Sequence, residues 1–161
     1  MTNREDQKAE RERTIFSQFV EASGIEVEAG SIVSERPPKP DVSCIIGGGR
    51  HYFELGEVTD QNLAARVATA LREMRITAGF FSQDNPLIKV FSDKARKNYR
   101  NLDGPLELVV YYDKQYPPPA WGLKESTLRD LELIVRDMLN GAWARVWLYD
   151  TWNRAILNMW E

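Results

Sequence analysis

The sequence feature that most constrains the fold lies between residues 41 and 59. An apolar run, VSCII at 42–46, is followed by the three glycines 47–49 and then by HYFELGEVT at 51–59. Two strand-like runs separated by glycines predict an antiparallel β-hairpin, because glycine adopts the positive φ angles of tight hairpin turns. The chain must therefore build a sheet, and other segments must extend and cover it.

The remaining elements follow from hydrophobic periodicity and turn signals. Helical spacing predicts helices at 5–23, at 61–75, from Asn85-Pro86 through Tyr99, and at about 125–140. Further strands are predicted at 25–33, 106–112, 143–149 and 155–160, with loops at 34–40 and 113–122. The run LELVVYY at 106–112 is typical of a central strand. The order αβββααβαββ predicts an α/β (α+β-like) fold, with a central mixed β-sheet flanked by helices.

Length and composition limit the function classes. The 161 residues indicate a single domain, 1–161, and the net charge of −3 gives no global attraction to nucleic acid. Any such contact needs a local basic patch. One cysteine and one histidine exclude a disulfide framework and a His/Cys metal site. The charged start and the absence of a long apolar run predict a cytoplasmic protein without a membrane partner.

Carboxylates concentrate in the hairpin. Asp41 stands at the head of its first strand, and Glu54 and Glu57 lie on the return strand. Since strand side chains alternate, Glu57 and Thr59 face one side while Glu54 faces the other. Two such acids can hold Mg²⁺ or Mn²⁺, which prefer oxygen ligands. In the simpler alternative, Asp41 is an ordinary turn residue, and Glu54 and Glu57 form the polar side of an exposed strand.

A third acid comes from the first predicted helix. At about 100° per residue, Glu12 projects from the apolar stripe that contains Ile15, Phe16 and Phe19. A carboxylate there needs a partner or a cation, or it reaches water at the helix start. Both interpretations remain open on the residues alone.

These residues resemble a known family. Pro40-Asp41, the glycine turn and Glu57-Val58-Thr59, with the order of elements over residues 5–115, resemble the PD-(D/E)XK nuclease-like superfamily. The resemblance implies a restriction-endonuclease-like core in which Asp41 and Glu57 bind Mg²⁺ or Mn²⁺ and Glu12 is the helix acid. Thr59 then occupies the position of the lysine that orients water. Lys94, Lys97 and Tyr99, ahead of LELVVYY, are similar to a poorly characterised Glu-x-Thr branch.

The resemblance implies a metal-dependent nuclease that hydrolyses phosphodiesters in nucleic acid, with Asp41, Glu54, Glu57 and Thr59 as the candidate catalytic residues. Thr59 cannot supply an ammonium group, so the site is a degenerate version of the family's. In an alternative register Glu54 is the acid and Gly56 stands in the lysine position. The alternative function is a non-catalytic binding or interaction module that retains the nuclease-like fold.

Two surfaces are candidates for partners. Basic residues in and after the helix at Asn85-Pro86 form either a solvated face or a phosphate-contacting patch, together with two from the proline-rich loop. They are Lys89, Lys94, Arg96, Lys97, Arg100, Arg36 and Lys39. The aromatic strands 143–149 and 155–160 suggest a homodimer formed by edge pairing.

Overall fold

The computed structural model describes residues 3–59, 85–113, 118–119 and 122–161. Within these ranges the chain forms three helices and six strands. In chain order they are α1 (Arg4–Ser23), β1 (Val33–Ser34), β2 (Val42–Ile46), β3 (Gly49–Val58), α2 (Pro86–Ala95), β4 (Leu106–Tyr112), α3 (Glu125–Leu139), β5 (Trp143–Asp150) and β6 (Ala155–Trp160). The helix expected at 61–75 and most of the loop at 113–122 lie outside the described residues.

All six strands belong to one mixed sheet, in the order β1-β2-β3-β4-β5-β6. The three inner strands β3, β4 and β5 are parallel, and the outer pairs β1/β2, β2/β3 and β5/β6 are antiparallel. The expectation of a central mixed sheet flanked by helices is therefore confirmed.

Each face of the sheet carries its own apolar core. On one face Phe16 and Phe19 of α1 pack against Phe53, Trp147 and Tyr149. On the other face α2 and α3 bury their apolar sides against alternate strand residues. All seven residues of β4 are buried because the strand is covered on both sides, as its apolar run predicts.

The β2/β3 hairpin has the tight turn that its glycines predict. Ile46 pairs with Gly49, so two residues form the turn, and Gly47 and Gly48 have φ angles of 59° and 80°. Two successive positive φ angles are the signature of a type I′ turn, whose twist matches that of the strands. The return strand therefore begins at Gly49, two residues earlier than expected.

Two expected elements are shorter than their sequence patterns indicate. The strand at 25–33 is reduced to Val33–Ser34 and one bridge between Val27 and Ile46. Gly30, at φ 74°, lies within a turn that interrupts any continuous pairing. The helix from Asn85-Pro86 begins as predicted, because the Asn85 side chain accepts the Leu87 N–H at 3.0 Å.

That helix, α2, nevertheless ends at Ala95 rather than near Tyr99. The residues after it leave the helical path because two of them, Lys97 and Tyr99, reach back to a buried carboxylate on β3. Hydrogen bonds to a buried charge outweigh the small propensity differences that extend a helix by one turn. None of the helices in the described ranges has the length and apolar character needed to cross a membrane.

Candidate functional site: a carboxylate pair held by two lysines

The hairpin brings Asp41 together with Glu54. Val42 pairs with Phe53, and continuing this register by one residue sets Asp41 opposite Glu54. The Asp41 carboxylate also accepts the backbone N–H of Leu55 at 2.9 Å. Because opposite residues of an antiparallel pair share a face, both acids lie at the end of β2 on the side covered by α2.

Glu54 is completely buried and is bound by three donors. The ammonium groups of Lys94 and Lys97 both contact its Oε1, at 2.6 and 2.5 Å, and the Tyr99 hydroxyl donates to Oε2. Lys94 comes from the last turn of α2, and the other two come from the segment that follows. Both carboxylate oxygens are thus satisfied by side chains, as a buried charge requires.

The electrostatics follow from this arrangement. Burial disfavours the Glu54 carboxylate, but the charge of Lys94 and the three hydrogen bonds outweigh burial and hold its pKa below the ordinary value. Burial also disfavours the Lys97 ammonium, yet the contacts with Glu54 and the charge of Asp41 raise its pKa. The pKa of Asp41 is raised by burial and by the charge of Glu54. Two positive and two negative side chains therefore balance one another.

The glycine at position 56 makes room for this contact. A Cβ at Gly56 would lie 2.8 Å from Val90 Cγ1 and 3.4 Å from Lys94 Cγ. The stem of Lys94 therefore passes across the strand where a side chain at this position would project. In the sequence Gly56 stood out only as an unsuitable residue at the lysine position, whereas its missing side chain allows a lysine from α2 to reach Glu54.

Glu12 belongs to the edge of the same cluster. Its side chain is mostly buried and lies 3.5 Å from the ammonium of Lys8. Burial, followed by the charge of Asp41, raises the pKa of Glu12. The structure therefore brings Glu12 within electrostatic range of Asp41, and its contact with a cation is supplied by a lysine one helical turn away.

Glu57 does not join this site. It lies on the opposite face of β3 from Glu54, where Arg11 of α1 donates to its Oε1 at 2.7 Å and also to Asp113. The expected Asp41–Glu57 pair is wrong, because side-chain alternation directs Glu57 to the α1 face. Thr59 lies just after the end of β3 at Val58.

The side chains do not fit the metal that the family resemblance implies. Both oxygens of Glu54 are engaged by protein donors, and Glu57 is paired with Arg11. Among the described residues, no group of three or more His, Cys, Asp or Glu side chains is arranged to hold a metal ion. The expectation of Mg²⁺ or Mn²⁺ stays a prediction that these contacts do not support.

The expected basic patch separates into three groups. Lys94 and Lys97 bind Glu54, while Arg36 and Lys39 face Asp6 and Glu35 at 4.0 and 3.5 Å. The remaining members are exposed and form no ion pair within the described ranges. These three cations, available to a partner, form the α2 basic surface: Lys89, Arg96 and Arg100.

A second buried carboxylate was not anticipated from the sequence. Glu107 on β4 accepts the Trp147 indole N–H at 2.7 Å and lies 3.6 Å from His51 Nδ1. A charged residue within the apolar run 106–112 was the signal that could have indicated it, since a charge there needs a partner. His51 lies beside Glu107 with its side chain 23 % exposed. Cys44 is 1 % exposed, and burial raises the pKa of its thiol to about 12.

Comparisons with known proteins identify no family. No protein-family model matches the chain, and no curated protein matches it. A structural match is a protein of unknown function from Pseudomonas aeruginosa strain PAO1, assigned to a monooxygenase superfamily. The two are 20 % identical, the match covers 89 % of this chain and 68 % of the other, and the TM-score is 0.35. This likeness is too weak to carry a fold or an activity over to this chain.

The expectation of a metal-dependent, phosphodiester-hydrolysing nuclease is therefore corrected. The comparisons return no nuclease, and the weak structural likeness carries no argument for any activity. The Asp41–Glu57 pair on which the expectation depended is not formed, because Glu57 lies on the α1 face of β3, where it pairs with Arg11. What the fold assembles instead is an internally neutralised cluster around Glu54.

Proposed function

We propose that this chain is a non-catalytic binding module that contacts polyanions of the nucleic-acid type through the α2 basic surface. The module is built on a restriction-endonuclease-like core of the PD-(D/E)XK kind. The order α1, β1, β2, β3, α2, β4 and the acids at the head of β2 and in β3 support this relationship. The neutralised state of those acids supports a binding role rather than a catalytic one.

The observation that carries the proposal is the pairing of Lys94 and Lys97 with Glu54. A buried carboxylate pair left with its negative charge would repel a phosphate approaching α2. The two ammonium groups balance the negative charge of the carboxylates and so remove this repulsion. The neighbouring cations of the α2 basic surface then determine the potential that a partner meets.

The local charge balance supports a polyanion as the partner. Between residues 89 and 100 the chain carries five basic residues and one acidic residue, although the whole protein has a net charge of −3. Lys94 and Lys97 pair with Glu54, so the three cations of the α2 basic surface still outnumber the single acid of this segment. Lys89 and Arg96 are seven residues apart, which separates them by about 10 Å along the helix direction. Cations at that spacing contact different phosphates of one strand, and this makes binding dependent on salt.

Fluorescence anisotropy with fluorescein-labelled single-stranded DNA, single-stranded RNA and duplex DNA tests the proposal. We expect binding at low salt that weakens as salt rises. The triple variant Lys89→Gln, Arg96→Gln, Arg100→Gln should bind more weakly. Its slope of log affinity against log salt should fall by about 0.7–0.9 for each phosphate that is no longer neutralised.

A charge-matched control separates a local surface from net charge. The triple variant Arg13→Gln, Lys124→Gln, Arg136→Gln removes the same number of positive charges from exposed positions on α1 and around α3. We expect it to retain most of the affinity. Equal losses in the two triple variants, or no binding by the wild-type chain at low salt, would contradict the proposal.

The expected homodimer remains a separate prediction. Among the strands of the described residues β6 lies at an edge of the sheet, and Leu157 and Met159 on it are 43 % and 38 % exposed. Edge strands with apolar side chains are templates for pairing with another chain. Sedimentation velocity of the wild-type chain over a range of concentrations measures whether this pairing occurs.

A further inference from the structure

We infer that the ammonium groups of Lys94 and Lys97 are the resident cations of the Asp41–Glu54 pair, and that removing them converts the pair into a site for a divalent cation. These acids lie inside the fold, and their choice of cation is independent of polyanion binding at the α2 basic surface. In the wild-type chain the two lysine contacts leave no room for a metal ion. Without the two lysines, an ion would bind at the position that their ammonium groups occupy.

The two ammonium groups fill the space that an ion would need. Both nitrogens contact the same oxygen, Glu54 Oε1, at 2.5 and 2.6 Å. A Mg²⁺ ion needs carboxylate oxygens at about 2.0–2.1 Å together with several water ligands around it. An ion at Oε1 would occupy the region around this oxygen where the two nitrogens lie. Metal and lysines therefore exclude each other.

The charges of the four side chains are matched. Two ammonium groups on one oxygen repel each other, and a single carboxylate does not balance both. Asp41 is the second carboxylate, because the strand register sets it opposite Glu54 and its Oδ2 accepts the N–H of Leu55, the residue next to Glu54. The four side chains form a neutral set, in which two single positive charges stand where one doubly charged ion would satisfy the same two acids.

The two lysines are held in different ways. The Lys94 side chain is 21 % exposed and passes over Gly56, whose missing Cβ leaves the space that the lysine stem uses. The Lys97 side chain is 45 % exposed and comes from the segment after α2. Lys94 is thus built into the packing of α2 on β3, while Lys97 closes the site from the solvent side.

The test compares Mn²⁺ binding by the wild-type chain and by the Lys94→Met, Lys97→Met variant. Methionine keeps an unbranched apolar stem and removes the charge. Isothermal titration calorimetry with MnCl₂, supported by the electron paramagnetic resonance signal of free Mn²⁺, measures uptake. We expect the variant to bind Mn²⁺ at least about tenfold more tightly than the wild type, because two positive charges no longer oppose the ion.

Two controls locate the effect. The variant Lys39→Met, Lys124→Met removes two lysine charges at exposed positions outside the α2 basic surface and leaves Glu54 paired, so it should behave like the wild type. Adding Glu54→Gln to the Lys94→Met, Lys97→Met variant should abolish the new binding. A folded variant that gains no Mn²⁺ binding overturns the inference, and so does a gain that survives Glu54→Gln.

A measurement on the unaltered protein covers the case in which the double variant does not fold. Ordered ammonium groups give ¹⁵N signals in a lysine-labelled sample, and a nearby Mn²⁺ broadens them. We expect the Lys94 and Lys97 signals to remain sharp in the presence of Mn²⁺. The single variant Lys97→Met vacates the more exposed of the two positions at Oε1 and leaves one negative charge of the acids unbalanced, so Mn²⁺ should enter there and broaden the Lys94 signal. Broadening of both signals in the wild type would overturn the inference.

Discussion

The substitution Glu54→Gln tests the central contact of this molecule. Glutamine has nearly the volume of glutamate and keeps one acceptor oxygen, but it carries no charge and adds an N–H₂ group. Three donors, from Lys94, Lys97 and Tyr99, converge on this position in the wild type. In the variant, the glutamine N–H₂ group, itself a donor, faces the donors of the lysines and the tyrosine. The two ammonium groups also lose their nearest negative charge.

The magnitude follows from the burial of each partner. Removing one member of a buried ion pair costs about 3–5 kcal/mol, because the other charge stays buried and uncompensated. Glu54 is fully buried, but the Lys94 and Lys97 side chains are 21 % and 45 % exposed and can turn their ammonium groups toward water. We therefore expect a loss near the lower end, about 3 kcal/mol of unfolding free energy at neutral pH.

The effect has a defined pH dependence. The folded-state pKa of Glu54 lies below its ordinary value, so its stabilising contribution is complete above the unfolded-state pKa of about 4.3. The contribution is lost as pH falls through the lower, folded-state pKa. The difference between wild type and Glu54→Gln should therefore be constant near neutrality and shrink in acid.

Urea unfolding followed by tryptophan fluorescence and far-ultraviolet circular dichroism measures both effects. Glu125→Gln is the matched control, because Glu125 pairs with Arg129 at 2.6 Å but its side chain is 81 % exposed. An exposed pair of this kind contributes about 0.3–0.5 kcal/mol. If Glu54→Gln costs no more than Glu125→Gln, the lysine contacts do not stabilise the fold, and the account of Glu54 as a buried, paired charge is refuted.

Four further substitutions, one of them a control, probe the surrounding packing and charges. Gly56→Ala should cost about 1–3 kcal/mol by overpacking against α2, whereas Gly49→Ala, with only Ile46 O at 3.8 Å, should change the unfolding free energy by less than about 0.5 kcal/mol. The Glu12→Gln variant should become more stable relative to the wild type as pH rises from about 4 to 7. The folded-state pKa of Glu12 is raised, so ionisation of this carboxyl destabilises the wild-type fold. Urea unfolding across this pH range measures the difference. Trp147→Phe removes the indole donor to a buried carboxylate and should lower the thermal midpoint, with a loss of about 1.5–3 kcal/mol.

Local patterns predicted the framework of this fold because each element carries its own signal. The glycines of the β2/β3 turn, the Asn85 cap and the apolar run of β4 each indicate structure within a few residues. The helix α1 follows from the spacing of its buried positions. These features depend little on distant parts of the chain.

The site was not predictable in the same way because its partners are far apart in sequence. Glu54 and Lys94 are separated by 40 residues, and only the packing of α2 on β3 brings them together. The alternation of β3 correctly predicts Glu54 and Glu57 on opposite faces, but alternation does not say which face receives a lysine and which an arginine. The family resemblance favoured Glu57, and the position of α2 selected Glu54.

The end of α2 shows how one buried charge shapes both the fold and the surface. Helical spacing continues through Tyr99, yet the helix stops at Ala95 so that Lys97 and Tyr99 can reach Glu54. Had the helix continued, their side chains would follow the helical path instead of returning to β3. The same departure leaves Arg96 and Arg100 exposed at the surface. The carboxylate inside the fold therefore determines which cations are used internally and which remain available to a partner.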